Sequence, residues 1–308
     1  PAAEAGRARL GCLLLNTGVN HRIGPRRINV KTAQQLAGSG LPCMRFDMSG
    51  IGDSKASGGR EGYREQQSAD MRAALDQFQE STGISQFVVF GLCTGAVCAL
   101  HLALADPRIV GVLMFDGYVF LTKATRIERK LHRGLAFPFN AALRSTNATW
   151  RDWTGWLRSP FDAGARARFL AHFRKGSVAS DSEVPDIFAA SASTYKASEF
   201  AVDLQKLLDR GVDVYVMYSA MVNATDRNKG MLGQLRGHPC LERIRYKFWP
   251  DIDHTMTLIQ SQHRLLQAID QWVAEILVAQ HAGAAGIARH RPEIVPRVSA
   301  VGTKRAGA

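Results

Sequence analysis

The sequence predicts a mostly parallel, doubly wound α/β sheet with helices on both faces, and three observations support this class. Strand-type and helix-type segments alternate through the first 120 residues, a pattern typical of such sheets. Apolar runs such as Leu10–Asn16 are short and continuous, as in strands buried on both faces. The 308-residue chain is 46% hydrophobic and 21% charged, an ordinary globular composition that excludes a disordered or collagen-like chain.

Each element is assigned from its hydrophobic period and from the turn residues that bound it. The predicted strands are Leu10–Asn16, Pro42–Met48, Gln86–Phe90, Ile109–Phe115, Val212–Ser219 and Arg243–Phe248. The predicted helices are Ile28–Leu41, Tyr63–Ser81, Ala96–Ala105, Val202–Arg210 and a last amphipathic helix that includes Leu265–Ile276.

The alternation stops in one long segment, residues 118–200, which is basic and aromatic with helical spacing. We predict that this segment is a helical lid at the carboxyl edge of the sheet. Residues 1–117 and 201–280 then form the core of the domain. The Ala-, Gly-, Pro- and Arg-rich residues 281–308 are predicted to be a flexible basic tail.

The distribution of charge narrows the kinds of partner that the sequence predicts. The net charge is +12, and residues 120–176 alone hold twelve Lys or Arg against three Asp or Glu. This balance fits acidic proteins or phosphate groups as partners. Nucleic acid is not expected, because the chain has no zinc-finger, helix-turn-helix or RNA-binding signature.

No apolar run is long enough to predict a membrane span. The five cysteines are an odd number without metal-type spacing, which favours a reduced, cytoplasmic setting and no metal site. No cofactor is expected. The sequence does not indicate an oligomeric state.

The sharpest motif is Gly91-x-Cys93-x-Gly95, placed between a predicted strand and a predicted helix. It resembles the nucleophile elbow of α/β-hydrolases, with cysteine in place of the usual serine. Positions two before and two after the nucleophile must be small, because strand and helix approach closely there. The helix N-terminus favours a thiolate at Cys93. The alternative is a structural cysteine beside two loop glycines.

A cysteine nucleophile needs a base, and His254 lies in the loop between the last predicted strand and the last helix. In α/β-hydrolases the catalytic histidine occupies this loop. For the third member we prefer Asp116, at the end of the strand after the elbow, where thioesterase domains of peptide and polyketide synthases carry their acid. Asp226 and Asn223 are alternatives, because most α/β-hydrolases place the acid after the penultimate strand.

An oxyanion hole requires two backbone N–H groups. One is assigned to Thr94, directly after the nucleophile, and the other to Val19, in the loop after the first strand. Gly18 and His21 in that loop, together with Trp153 of the predicted lid, are candidates for the substrate pocket.

Together these motifs resemble the serine-aminopeptidase-like and thioesterase-like branch of the α/β-hydrolase superfamily, over residues 10–278. They include Arg45–Ser54, a stretch expected to be structural. The antiparallel hairpin that usually precedes the first strand in this branch is missing from the chain, so it was removed or the sheet is smaller.

The resemblance implies a thioesterase or acyltransferase that works through an acyl-Cys93 intermediate, similar to aminoacyl-shuttle enzymes. A thiolate exchanges acyl groups readily with thioesters. The expected substrate is a CoA-type or carrier-protein thioester, with an acidic acyl or peptidyl carrier protein as partner. The alternatives are an ester or lactone hydrolase of the dienelactone-hydrolase kind and a catalytically silent binding protein.

Overall fold

The computed structural model describes residues 10–59, 62–125, 127, 195–219 and 229–288. Within these ranges the strands are β1 Leu10–Leu14, β2 Cys43–Arg45, β3 Gln86–Leu92, β4 Ile109–Phe115, β5 Asp213–Ser219 and β6 Arg245–Trp249. The α-helices are α1 Ile28–Gly38, α2 Tyr63–Thr82, α3 Thr94–Ala105, α4 Ala197–Asp209, α5 Cys240–Arg243 and α6 Ile259–Ala288. Two short 3-10 helices cover Pro25–Arg27 and Gly230–Leu235.

The six strands form one sheet in the order β2-β1-β3-β4-β5-β6, and every pair is parallel. The predicted fold class is confirmed. The strand order reverses between β1 and β3, since β2 lies on one side and β4 to β6 on the other. In parallel α/β sheets, ligands bind at the carboxyl ends of the strands at such a reversal. The loops after β1 and β3 are therefore neighbours at the expected site.

Buried side chains on the two faces of the sheet form two separate hydrophobic layers. Along β3, Phe87 and Val89 contribute to the layer beneath α2, α3 and α4, whereas Val88 and Phe90 contribute to the layer beneath α1 and α6. This alternation follows from the two-residue period of a strand. It also explains why the strands read as continuous apolar runs rather than as alternating ones.

The bounds of three elements differ clearly from the predictions. The second strand ends at Arg45 rather than Met48, because the Met48 N–H donates to Asn16 Oδ1 instead of to a neighbouring strand. The helix after the elbow begins at Thr94 rather than Ala96, directly after Cys93. The last helix continues to Ala288, beyond residue 281, where the sequence places the start of the tail.

Most of the predicted lid lies outside the described residues, as do residues 289–308 of the predicted tail. The described ends of the lid segment pack onto the core: Tyr118, Phe120 and Leu121 are buried, as is Phe200. None of the helices in the described part of the chain combines the length and apolar character that crossing a membrane requires.

Candidate active site

The chain turns sharply at Cys93, between β3 and α3. A Cβ atom on Gly91 would lie 2.0 Å from the Gly95 carbonyl oxygen, and one on Gly95 would lie 2.5 Å from the Asn16 carbonyl oxygen. Cys93 has φ 59° and ψ −117°, a conformation that costs a non-glycine residue on the order of 1–3 kcal/mol. The two glycines allow strand, helix and neighbouring loop to meet. The strained turn leaves Cys93 as the residue immediately before the first turn of α3.

His254 lies between Cys93 and Asp116. Its Nδ1 atom is 2.9 Å from Asp116 Oδ2, and its ring is in hydrogen-bonding contact with the Cys93 thiol. The hydrogen bond to Asp116 and the contact with Cys93 raise the pKa of His254 to about 10, against the opposing effect of burial. In the sequence, Cys93 lies 23 positions before Asp116 and His254 lies 138 positions after it. The structure therefore brings together three residues that are far apart along the chain. Because the Asp116 carboxylate binds Nδ1, the Nε2 atom of His254 is the ring nitrogen that can interact with the Cys93 thiol.

Asp116 is held in place by contacts other than the one with His254. Its side chain is buried, with only 1% exposed, and Ser219 at the end of β5 donates twice to it: Ser219 N–H to Oδ1 at 2.7 Å, and Ser219 Oγ to Oδ2 at 2.5 Å. The Asp116 backbone, at φ 49°, donates its own N–H to the Met217 carbonyl. Because Oδ2 accepts from both Ser219 and His254, the orientation of the carboxylate determines the orientation of the ring. Sequence reasoning did not single out Ser219; its position at the end of a strand beside β4 was the available signal.

The loop that carries His254 is a closed turn. Asp253 accepts hydrogen bonds from the N–H and hydroxyl groups of Thr255 and Thr257. Although burial acts in the opposite direction, these donors lower the pKa of Asp253. The Met256 N–H closes the turn on the Asp253 carbonyl at 3.0 Å, and the Met256 side chain is buried. These contacts fix the backbone on both sides of the histidine.

The loop after β1 approaches the start of α3. Gly18, at φ +57°, donates its N–H to Thr94 Oγ1 at 2.5 Å. Within the described residues, no acceptor is bonded to the backbone N–H of Val19 or of Thr94. The Val19 side chain is 73% exposed. The two N–H groups assigned to the oxyanion hole therefore have no acceptor in the described part of the chain, and the bond from the Gly18 N–H to the Thr94 hydroxyl joins the segments that carry them. Sequence reasoning missed this contact of the Thr94 hydroxyl.

A buried polar network supports this loop from below. Asp47 Oδ1 accepts from Asn16 Nδ2 at 3.0 Å and from the Arg22 N–H at 2.5 Å, and Oδ2 accepts from Arg22 Nη1. Although burial opposes ionisation, these donors lower the pKa of Asp47. A Cβ atom at Gly52 would lie 2.4 Å from Asp47 Oδ2. The Arg45–Ser54 stretch therefore packs its turn against the loop that bears Gly18 and Val19.

His21 lies at the outer side of this network. Its Nε2 is 3.0 Å from Asp53 Oδ2 and 3.4 Å from Asp47 Oδ2, and these three side chains could offer three metal-ligand atoms within 4.8 Å of one another. Arg22 Nη1 contacts both carboxylates, at 2.5 and 2.8 Å. Because the Arg22 guanidinium already pairs with Asp47 and Asp53, the cluster is an ion-pair network.

Three predicted residues lie outside the described ranges: Asn223 and Asp226, the alternative third members, and Trp153, the lid candidate for the pocket. The contact between Asp116 and His254 agrees with the preferred third member, and the structure gives no information on the two alternatives.

The chain belongs to the α/β-hydrolase fold family, whose model matches residues 14–215. No curated protein matches the sequence. Among solved structures, the chain is similar to VinJ (15% identity, 88% of this chain and 91% of that chain covered, TM-score 0.47). It is similar to a meta-cleavage product hydrolase from Pseudomonas fluorescens (14%, 88% and 92%, TM-score 0.46). It is also similar to a carboxylesterase from the thaumarchaeon Nitrososphaera gargenis (14% identity, 88% of this chain and 93% of that chain covered, TM-score 0.46).

Proposed function

We propose that this protein is a thioesterase or acyltransferase in which Cys93 carries the acyl group. The observation that carries the proposal is the connected set Cys93, His254 and Asp116 at the turn before α3. A chain that had lost its chemistry would have no need of a partly buried histidine held between a thiol and an oriented carboxylate. The contacts of His254 therefore favour an enzyme over a silent binding protein.

The raised pKa of His254, about 10, means that the ring holds its proton at neutral pH. An imidazolium beside the Cys93 sulfur stabilises the thiolate, together with the positive end of α3. In acyl transfer the thiolate attacks the thioester carbonyl carbon, and His254 then supplies a proton to the departing thiol. Asp116 keeps the ring in the orientation that this proton transfer requires.

The tetrahedral intermediate carries a negative oxygen. The N–H groups of Thr94 and Val19 have no bonded acceptor among the described residues, so both are available for this oxygen. One such donor contributes about 3 kcal/mol to the transition state in comparable enzymes. The network beneath the loop, from Asn16 to Asp47, would hold the second donor in position without rearrangement.

Thioesters are the favoured substrates because of the nucleophile. Attack of a thiolate on a thioester exchanges one thiol for another of similar leaving ability, so the acyl-enzyme stays reactive toward a second acceptor. The excess of Lys and Arg in residues 120–176 supports an acidic carrier protein or the phosphate of a pantetheine arm as the docking partner. We further propose a cytoplasmic location, where reduced cysteines persist.

Intact-mass measurement after incubation with a panel of acyl-pantetheine thioesters tests the proposal. A mass increase equal to the acyl group, absent from Cys93→Ala protein, is expected. Acylation by simple esters or lactones but by no thioester would instead favour the ester or lactone hydrolase. No adduct and no turnover with any donor would contradict an enzymatic function at this site.

Cys93→Ser separates transfer from hydrolysis. A serine ester passes its acyl group to a thiol less readily than a thioester does. We therefore expect transfer to a carrier protein to fall more than release of free acid. Equal losses in the two reactions would contradict a transferase role.

A further inference from the structure

Two cysteines outside the candidate active site face each other across neighbouring strands. Cys12 in β1 is the direct Cα partner of Cys43 in β2. Neighbouring strands lie about 4.7–4.9 Å apart, within the roughly 4.4–6.8 Å that separates the Cα atoms of a disulfide. The Cys43 thiol donates to the Leu41 carbonyl oxygen at 3.4 Å, and the two thiols interact with each other. The spacing of paired residues on neighbouring strands therefore permits a disulfide between Cys12 and Cys43.

The two thiols have different surroundings. Cys12 has no exposed surface and packs in the layer beneath α1 and α6. Cys43 is the first residue of β2, at one edge of the described sheet, and is partly exposed. Arg45, two residues further along the strand, shares its face. A reagent in solution therefore meets Cys43 first, with Cys12 directly behind it.

The pKa values of the two thiols shift in opposite directions. The hydrogen bond with Cys43 and burial raise the pKa of Cys12 well above its ordinary value. The hydrogen bond from Cys12 and the charge of Arg45 lower the pKa of Cys43, against the opposing effect of burial. Cys43 is the sulfur that ionises first, while Cys12 keeps its proton. This is the arrangement of an attacking thiol with a resolving thiol behind it.

We propose that Cys12 and Cys43 are a redox-active dithiol that reduces a low-molecular-weight disulfide of the glutathione type and closes to a disulfide between β1 and β2. The Cys43 thiolate attacks one sulfur of the small disulfide, whose S–S bond breaks and releases one thiolate. Cys12 then attacks the Cys43 sulfur and displaces the second small thiolate. The proton of Cys12 passes to one released thiolate, and the proton that Cys43 gave to water on ionising passes to the other. Two electrons pass from the protein to the small disulfide, which leaves as two thiols.

This chemistry does not depend on the function proposed for Cys93, and the test removes that residue. Cys93→Ala protein is incubated with excess oxidised glutathione, quenched with acid and weighed intact. The expected product has lost two hydrogen atoms and retains no glutathione. Tryptic digestion is expected to join residues 10–22 to residues 32–45, the peptides that contain Cys12 and Cys43.

Two further variants in the same background identify the role of each thiol. With Cys12→Ala, the mixed disulfide cannot be resolved, so one glutathione stays on Cys43. With Cys43→Ala, the buried Cys12 is expected to stay unmodified in folded protein. The melting profile shows whether each variant is folded, and the peptide map of the Cys93→Ala protein decides the proposal if either is not. Glutathione retained on Cys43 beside a free Cys12, or a crosslink formed only in denaturant, would overturn it.

Discussion

The N-terminal end of α3 and the second turn of the same helix each carry a cysteine, and their surroundings differ. Cys93 precedes the first turn of α3 and is in contact with His254. Cys98 is buried in the hydrophobic layer against α2, and burial raises its pKa to about 11. The same side chain thus contacts a histidine at one position and is kept neutral by burial at the other. Placement relative to the helix end and to a histidine, rather than residue type, distinguishes them.

Removing each thiol in turn gives the largest expected difference. Cys93→Ala is expected to abolish the acyl adduct and to lower thioester turnover by at least about 10³-fold, because the covalent route is lost. Cys98→Ala is the matched control: it deletes one buried sulfur from the same helix, and turnover is expected to stay within about twofold. Comparable turnover losses in the two variants, with both folded, would mean that Cys93 is structural.

Asp116→Asn tests whether Asp116 orients the His254 ring beside Cys93. An amide in this place can donate to Nδ1 and favour the wrong ring tautomer, which costs on the order of 10⁴-fold in serine enzymes that carry the same arrangement. A fall of roughly 10²-fold or more in kcat/KM is expected here, with acylation measured by stopped-flow thiol release. Full activity in Asp116→Asn would exclude Asp116 as the orienting acid and return attention to Asp226 and Asn223.

Thr94→Val tests the bond between the two segments that would form the oxyanion hole. The valine side chain cannot accept the Gly18 N–H, so the loop after β1 loses its attachment to α3. Because one oxyanion donor is worth about 10²–10³-fold, partial displacement is expected to lower kcat about tenfold or more with little change in KM. Thr94→Ser keeps the hydroxyl and is expected to restore most of kcat. Equal losses in the two variants would contradict a positioning role.

The smallest expected effect is on stability against pH. The pKa of His254 is about 10 in the folded protein, above the ordinary value near 6.5 of an unfolded histidine. The folded state therefore binds this proton more tightly. Its contribution to stability is complete below about pH 6.5 and is lost as the pH rises toward 10.

Melting temperature measured between pH 6 and pH 10 checks this, with His254→Gln expected to lose less stability over the range than the wild type. His263→Gln, at an exposed position of α6, is the control and should follow the wild type. Identical pH dependence in His254→Gln and wild type would show that His254 is not bound to the two partners described.

The fold was predictable because its signals are local. Buried-type strands, the glycines at 91 and 95 and the loop position of His254 are all visible along the chain. Contacts between distant segments were not, because their partners are fixed only once the strands are ordered in the sheet. The two hydrogen bonds from Ser219 to Asp116, the bond from Gly18 to Thr94 and the pairing of Cys12 with Cys43 are of this kind.

Locating the acyl group tests directly whether Cys93 is the nucleophile. After acylation by a thioester donor and an acid quench, trypsin releases one peptide, residues 73–108, that contains both Cys93 and Cys98. Fragmentation of this peptide in the mass spectrometer assigns the acyl group to one sulfur or the other. We predict that the whole adduct lies on Cys93. An adduct on Cys98, or on any other residue while Cys93 remains a free thiol, would contradict it.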